Sequence, residues 1–231
     1  MMHQLDVEPG LTNKLIAPLA TSVTTSFAYA TSPFAGVKHV HRIATPVRFV
    51  GEVMTRAEGA NVFGLDAAKP IVLIMGGGTG AQALNEAFLT KQDAWFKDMQ
   101  VIHVSGKGKK AADSSYEFLD AERMRAAYAA ADVVITRAGL GSLSEIVALQ
   151  KPCIIVPIPG SHQEANAQAF AKADAAIVLD QRTEGFAAML HACALAMVQH
   201  PEEAKKLVSH YDNVMTTDGG ESLADRIDGI L

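Results

Sequence analysis

Cysteine is nearly absent: Cys153 and Cys193 are the 2 in 231 residues. Both sit in apolar runs and read as reduced core groups of a cytosolic protein. No apolar run reaches the roughly 18 residues of a membrane span. The opening Met1-Met-His-Gln-Leu-Asp-Val-Glu-Pro-Gly10 has neither a basic stretch nor an apolar one, so it does not read as a secretory leader. Basic residues are not in excess: 20 Lys and Arg face 25 Asp and Glu, for a net charge of −5. Nucleic acid is therefore not expected as a partner, and a bound anion must be held by local backbone and a few side chains. Internal repeats and low-complexity tracts are also missing. What the chain does have is 49% hydrophobic residues, enough for the core of one large α/β domain, or of one domain plus part of another.

From Ile71 onward, short apolar runs alternate with helix-period segments. The runs are Ile71-Val-Leu-Ile-Met75, Val101-Ile-His-Val104, Asp132 to Thr136, Cys153 to Pro157 and Ala176 to Leu179. Between them, Ala83, Leu84, Ala87 and Phe88, then Met124, Ala127 and Tyr128, recur at helical spacing. This alternation predicts a parallel sheet with helices on both faces, whose ligands bind at the carboxyl ends of the strands. Residues 1–48 differ. A helix is expected around Gly10 to Leu19, with Pro18 inside or near its end, then a strand around Val23 to Phe27 and a loop at Thr31 to Gly36. Residues 45–51 read as a linker, and residues 219–231 as a last helix.

The most informative stretch is Thr136-Arg-Ala-Gly-Leu-Gly-Ser-Leu-Ser-Glu145, an apolar strand running into a glycine-bearing turn that opens a helix. A helix start exposes unpaired N–H groups and partial positive charge, a seat for phosphate. Gly139 and Gly141 let the backbone approach an anion, and Glu145 is placed to hold vicinal hydroxyls such as those of a ribose. Ser142-Leu-Ser-Glu145 is also a capping box, with Glu145 in the first turn, a reading that ranks behind the ribose role and is compatible with it. Farther on, His162, Gln163 and Asn166 follow a proline-bearing strand end and suit a sugar. Together these read as a nucleotide-sugar pocket.

Gly76-Gly-Gly-Thr-Gly80 also follows a strand and opens a helix, so it too can cradle a phosphate or a sugar. It is no Walker A loop, since no Gly-Lys-Ser/Thr follows. Gly78-Thr-Gly-Ala-Gln-Ala83 fits a dinucleotide fingerprint, but the second strand ends in Val104-Ser-Gly-Lys107 with no carboxylate to hold an adenosine ribose. A nicotinamide enzyme is disfavoured. His39 and His41 have no carboxylate or cysteine partner to complete a metal site. Lys107, Lys109 and Lys110 read as a solvated loop, able to add weak attraction to anionic headgroups. Arg137 reads first as a structural residue under the phosphate turn, with a second phosphate contact as the alternative.

Several stretches jointly resemble the MurG family of bacterial N-acetylglucosaminyltransferases: Gly76 to Asn85, His103-Val-Ser-Gly-Lys-Gly108, Met124 to Asp132, Arg137 to Glu145, and His162-Gln-Glu-Ala-Asn-Ala167. His3 to Lys14 looks like a segment near the end of that family's first domain, and Thr45-Pro-Val-Arg48 like its hinge. The family's first-domain GGTGGH loop has no counterpart here, and Gln4 and Leu5 depart from its Glu-Gln.

The resemblance implies one Rossmann-like half of a GT-B fold. Residues 1–48 would be the end of an acceptor-type domain with its hinge, and residues 49–231 the UDP-sugar-binding domain. It implies transfer of GlcNAc from UDP-GlcNAc to the MurNAc C4 hydroxyl of lipid I, giving lipid II, by an inverting mechanism without an obligatory metal. Glu145 would hold the ribose. Leu140, Gly141 and Ser142 would meet the diphosphate through backbone N–H groups, with Arg48, Gly78, Thr79 and Gly80 facing the same group. Phe118, Leu119 and Met124 would receive uracil, although any core would look the same. His162, Gln163 and Asn166 would read the sugar, Gln163 at its 3- and 4-hydroxyls. No general base is identified in this chain, so donor binding without turnover is expected. The lipid-linked acceptor would come through a missing or separate N-terminal domain, at the inner face of the cell membrane. Two alternatives stay open: a subunit of another lipid-linked GT-B transferase working with a partner chain, and a non-catalytic UDP-sugar-binding remnant.

Overall fold

The computed structural model describes residues 1–29, 33–34, 36–37, 39–45, 47–48, 54–77, 81–109 and 112–216. The front of the chain forms a small parallel sheet, in the order β1 (Met2–Gln4), β2 (Val23–Thr25) and β3 (Val40–Arg42). Helix α1 (Leu11–Ile16) joins the first two strands. It gives way to a 3-10 turn at Ala17–Leu19, because Pro18 has no N–H to continue the ladder. The expected helix and second strand are present, whereas β1 carried too few residues to read. Met2, Ala17, Val23 and Phe34 form the buried centre of this unit.

Then follow α2 (Arg56–Val62), β4 (Ile71–Met75), α3 (Gln82–Thr90), α4 (Gln92–Asp98), β5 (Gln100–Val104), β6 (Ser115–Tyr116) and α5 (Ala121–Ala130). The second half continues with β7 (Val133–Thr136), α6 (Leu140–Ala148), β8 (Cys153–Ile155), α7 (Gln163–Lys172), β9 (Ile177–Val178), α8 (Phe186–Gln199) and α9 (Pro201–Val208). The six strands lie in the order β6-β5-β4-β7-β8-β9, every pairing parallel. All five residues of β4 and all four of β7 are buried, as a strand covered on both faces requires. Side chains alternate across the sheet. Ile71, Leu73 and Met75 join one core with residues of α5, α6 and α7, and Val72 and Ile74 join a second with residues of α3, α4 and α8. All five predicted strands appear, the last shortened to two residues. The residues expected to form a terminal helix, 219–231, lie outside the described residues.

Buried polar groups tie the edges. His103 on β5 meets Asn85 Oδ1 through Nε2 at 3.0 Å and Ser115 Oγ through Nδ1 at 2.7 Å, while Asn85 Nδ2 donates to the Ser105 carbonyl. That amide orientation makes Nε2 the protonated nitrogen of the ring. Burial lowers the imidazole to about 4, so it stays neutral near pH 7.

The two sheets are fastened to each other. Phe27 pairs in an antiparallel bridge with Met215 and packs edge-on against Phe170 within the larger core. Val7 N–H donates to Asn166 Oδ1 at 2.9 Å, and Asn166 Nδ2 donates to Asp6 Oδ1 at 2.8 Å.

Helix α2, unanticipated from sequence, opens on a capping box. Thr55 Oγ1 accepts from the Glu58 N–H, and Glu58 Oε2 accepts from the Thr55 N–H. It packs so closely on α5 that a Cβ at Gly59 would stand 2.5 Å from the Ala126 carbonyl oxygen and 2.8 Å from the Ala130 nitrogen. Gly59→Ala is therefore expected to destabilise the fold by about 1–3 kcal/mol. Denaturant unfolding checks this, and an unchanged midpoint would show that the helices are free to separate.

Candidate functional site

The strand order reverses at β4. The chain steps outward to β5 and β6, then returns to place β7 on the other side of β4. Connections leave in opposite directions there, opening a crevice at the carboxyl ends of the strands. A cavity of about 370 Å³ occupies this position. Met75 and Gly77 follow from β4, Val104 and Gly106 from β5, and Gly141, Ser142 and Glu145 lie on α6. Phe118, Leu119, Met124 and Tyr128 form an apolar side, and Val47, Arg48 and Glu117, whose Oε2 accepts from the Gly108 N–H at 2.9 Å, complete the lining.

Glu145 is the chemical centre of the cavity. Its side chain is 7% exposed, and the two carboxylate oxygens have different partners. Oε1 accepts from Arg48 Nε at 2.7 Å, and Oε2 accepts from the Tyr128 hydroxyl at 3.0 Å. Burial, followed by the charge of Glu145, raises the Tyr128 phenol well above its ordinary value, so it remains a donor. The Arg48 guanidinium is raised chiefly by its hydrogen bond to Glu145.

The capping-box reading of Ser142 and Glu145 is corrected. Helix α6 begins at Leu140 with extended Gly139 as its N-cap, no side chain caps it, and no acidic residue lies in its first turn. Gly139 lets the helix start three residues earlier than a Ser142 cap would. Glu145 is thereby carried past the first turn onto the same face as Gly141, four residues before it. The first N–H groups of α6, those of Leu140, Gly141 and Ser142, precede its hydrogen-bond ladder.

Gly141 and Ser142 line the cavity, and Leu140 lies beside them in the same turn. A Cβ at Gly141 would meet nothing within 4 Å, and one at Gly139 only Gln163 Nε2 at 4.0 Å. Neither packing nor backbone angle demands glycine at 141, although glycine weakens a helix by about 1 kcal/mol relative to alanine. Gly77 is different: its φ of +80° requires glycine. Gly78, Thr79 and Gly80 lie outside the described residues.

Phe118, Leu119 and Met124 all reach the cavity. Leu119 is buried, and Phe118 is 54% exposed with Lys107 Nζ 4.6 Å from its ring centroid. The second polar group, His162, Gln163 and Asn166, does not line this cavity. Gln163 opens α7, and its Oε1 accepts from the Ile158 N–H at 3.2 Å while its Nε2 faces the Gly139 turn. His162 is largely exposed, 4.0 Å from Asp6. Asn166 is fully buried, and its amide is engaged by Val7, Asp6 and the Ala138 carbonyl. It holds the front segment to the α6 loop instead of facing the cavity. Arg137 is structural as expected, donating to the Val156 and Pro157 carbonyls and to Gln181. Among the described residues no group of three His, Cys, Asp or Glu could hold a metal.

Sequence reading did not assign Tyr128, Met75, Val104 or Gly106 to the site. Tyr128 was legible only as a core position of α5, although a buried hydroxyl must find a partner.

The glycosyltransferase family 28 C-terminal domain matches residues 71–215, a span that contains every cavity-lining residue except Val47 and Arg48. The chain belongs to glycosyltransferase family 28. Its curated relatives carry the name UDP-N-acetylglucosamine--N-acetylmuramyl-(pentapeptide) pyrophosphoryl-undecaprenol N-acetylglucosamine transferase. The relative from Lachnoclostridium phytofermentans is 31% identical over 242 residues, covering 100% of this chain and 65% of its own length. That from Halothermothrix orenii is 35% identical over 204 residues, covering 78% and 54%. Similar solved structures include Acinetobacter baumannii MurG, with a TM-score of 0.67 at 22% identity over 91% of this chain and 61% of that one. The glycotransferase of kitacinnamycin has a TM-score of 0.63 at 18% identity, covering 92% and 55%. These likenesses establish a MurG-type member and the Rossmann-like half of a GT-B fold. The chain spans less than two thirds of the length of these relatives.

In this family member, Gly141→Ala is expected to raise unfolding stability by about 0.5–1 kcal/mol. It is also expected to weaken any ligand seated against residues 139–142. Thermal unfolding with and without UDP checks both, and a loss of stability would show that packing keeps this glycine.

Proposed function

We propose that this chain binds UDP-GlcNAc and supplies the donor half of an inverting GlcNAc transfer to the MurNAc C4 hydroxyl of lipid I, yielding lipid II. The observation that carries the reading is the cavity at the strand reversal. It sets a buried carboxylate four residues along one helix from an open helix start, in a chain whose curated relatives bear that activity in their names. The carboxylate accepts ribose hydroxyls. The N–H groups of Leu140, Gly141 and Ser142, with Arg48, meet the diphosphate that leaves as UDP. Phe118, Leu119 and Met124 take uracil, and His162 and Gln163 lie nearest the sugar. Gly78, Thr79 and Gly80 are included in the proposal as contacts of the same diphosphate. Charge on the leaving group is met by these donors, and the proposal includes no obligatory metal.

Residues 1–48 belong, in this reading, to the end of an acceptor-type domain and its hinge, with a further polypeptide completing the acceptor side. The exposed face of the front unit supports this: Leu11, Leu15 and Leu19 are 74%, 67% and 85% exposed, and no residue of α1 is buried. An apolar surface of this kind is suited to cover. The lipid-linked acceptor would place the chemistry at the cytoplasmic surface of a membrane. Among the described residues no helix is long and apolar enough to cross one.

Calorimetric titration of the chain with UDP-GlcNAc, UDP-glucose and NAD tests the reading. Saturable binding of UDP-GlcNAc in preference to both is expected. Preference for NAD, or no binding of any uridine nucleotide, would overturn it. Purified chain alone is expected to form no lipid II, because the acceptor side and a general base are still to be supplied.

A further inference from the structure

Tyr128, Glu145 and Arg48 meet at one carboxylate, yet they differ in freedom. Tyr128 is 1% exposed and enclosed in the core between α5 and the sheet. Its hydroxyl oxygen, 3.0 Å from Glu145 Oε2 and 3.6 Å from Met75 Sδ, cannot shift without moving that core. The Arg48 side chain is 60% exposed at the other oxygen, at the solvent side of the cavity rather than within the core. A guanidinium fork matches phosphate geometry, and its contact with Glu145 is made through Nε. Gly141 lies on the same face of α6 as Glu145 and lines the same cavity. A nucleotide's ribose and 5′-diphosphate adjoin, so one ligand can reach both places together.

We infer that the donor enters by partner exchange. Arg48 occupies the Glu145 oxygen that the ribose needs, and the incoming diphosphate draws Arg48 away while Tyr128 keeps the carboxylate aimed. Tyr128 is thus a positioning residue, acting on the ligand through Glu145. Arg48 is both a ligand contact and a guard. A nucleoside without phosphate must compete with Arg48 and gains nothing in return, whereas a nucleoside diphosphate exchanges one ion pair for another. The site therefore selects for diphosphate through the ribose oxygen as well as through the helix start. This inference rests on the donor-binding reading and adds to it the order in which contacts are made.

Its test uses the full chain and three probes: uridine, UDP and 2′,3′-dideoxy-UDP, followed by calorimetry and by NMR shift titration for the weak ligand. Arg48→Ala is expected to weaken UDP about 10-fold yet to tighten uridine about 3- to 5-fold, since Tyr128 still holds the carboxylate and the pair removed is exposed on its arginine side. Opposite signs for two ligands from one substitution are not produced by a general loosening of the fold. Tyr128→Phe, which keeps the ring, is expected to weaken UDP about 10-fold and to leave 2′,3′-dideoxy-UDP unchanged, so that ribose discrimination collapses. If Arg48→Ala weakens uridine or leaves it unchanged while the unaltered chain binds UDP, the exchange is refuted and donor binding stands. Equal losses for UDP and its dideoxy analogue in Tyr128→Phe would refute the positioning role. If the unaltered chain binds no UDP, the donor-binding reading fails and the exchange with it.

Discussion

A parallel sheet buried on both faces leaves polar chemistry almost no room except at the ends of its strands. In this chain β4 and β7 are wholly buried, and cores lie on either side of them. Ligand-binding groups are forced to the carboxyl edge, where the order β6-β5-β4-β7-β8-β9 reverses and the crevice opens. Everything else about the site follows from where α6 starts. Extended Gly139 caps a helix whose first turn brings Gly141 and Ser142 to the crevice. The same helix carries Glu145 below the surface, where Tyr128 and Arg48 share its charge. A buried carboxylate without such partners would cost several kcal/mol, so the three residues form one unit.

The front sheet is joined to the larger one by contacts that cross most of the chain. Asn166 links Asp6 and Val7 to the Ala138 carbonyl at the foot of the α6 turn, and Phe27 is inserted beside Phe170 and Met215. These contacts bring the front segment against the loop that presents the proposed diphosphate seat. Arg48 completes the arrangement, reaching Glu145 from the segment that connects the two sheets. The geometry of the cavity thus depends on both parts of the chain.

Much of this was legible because burial writes itself into composition. Continuous runs such as Ile71 to Met75 and Asp132 to Thr136 have no alternative but a doubly covered strand. The glycine-bearing turn after β7 likewise pointed to a helix start. Other features were hidden for specific reasons. Strand β6 is two residues at a sheet edge, held by the His103 and Ser115 contact rather than by an apolar pattern. Thr55-Arg-Ala-Glu58 and Ser142-Leu-Ser-Glu145 carry the same capping signature, but only the first caps a helix, because Gly139 starts α6 three residues before Ser142. Asn166 had the chemistry of a sugar contact and became a tie to Asp6, 160 residues away in sequence. Tyr128 had the spacing of a core residue, and its hydroxyl acquired meaning only once Glu145 was seen beneath it.

The central claim is that one cavity receives ribose at Glu145 and diphosphate at the start of α6. The structure of this chain bound to UDP tests it most directly. The account predicts ribose hydroxyls within hydrogen-bonding distance of Glu145, with Arg48 turned from the carboxylate to a phosphate oxygen. It also places the diphosphate on the N–H groups of residues 140–142. A diphosphate seated elsewhere, or a ribose bound away from Glu145, would contradict it.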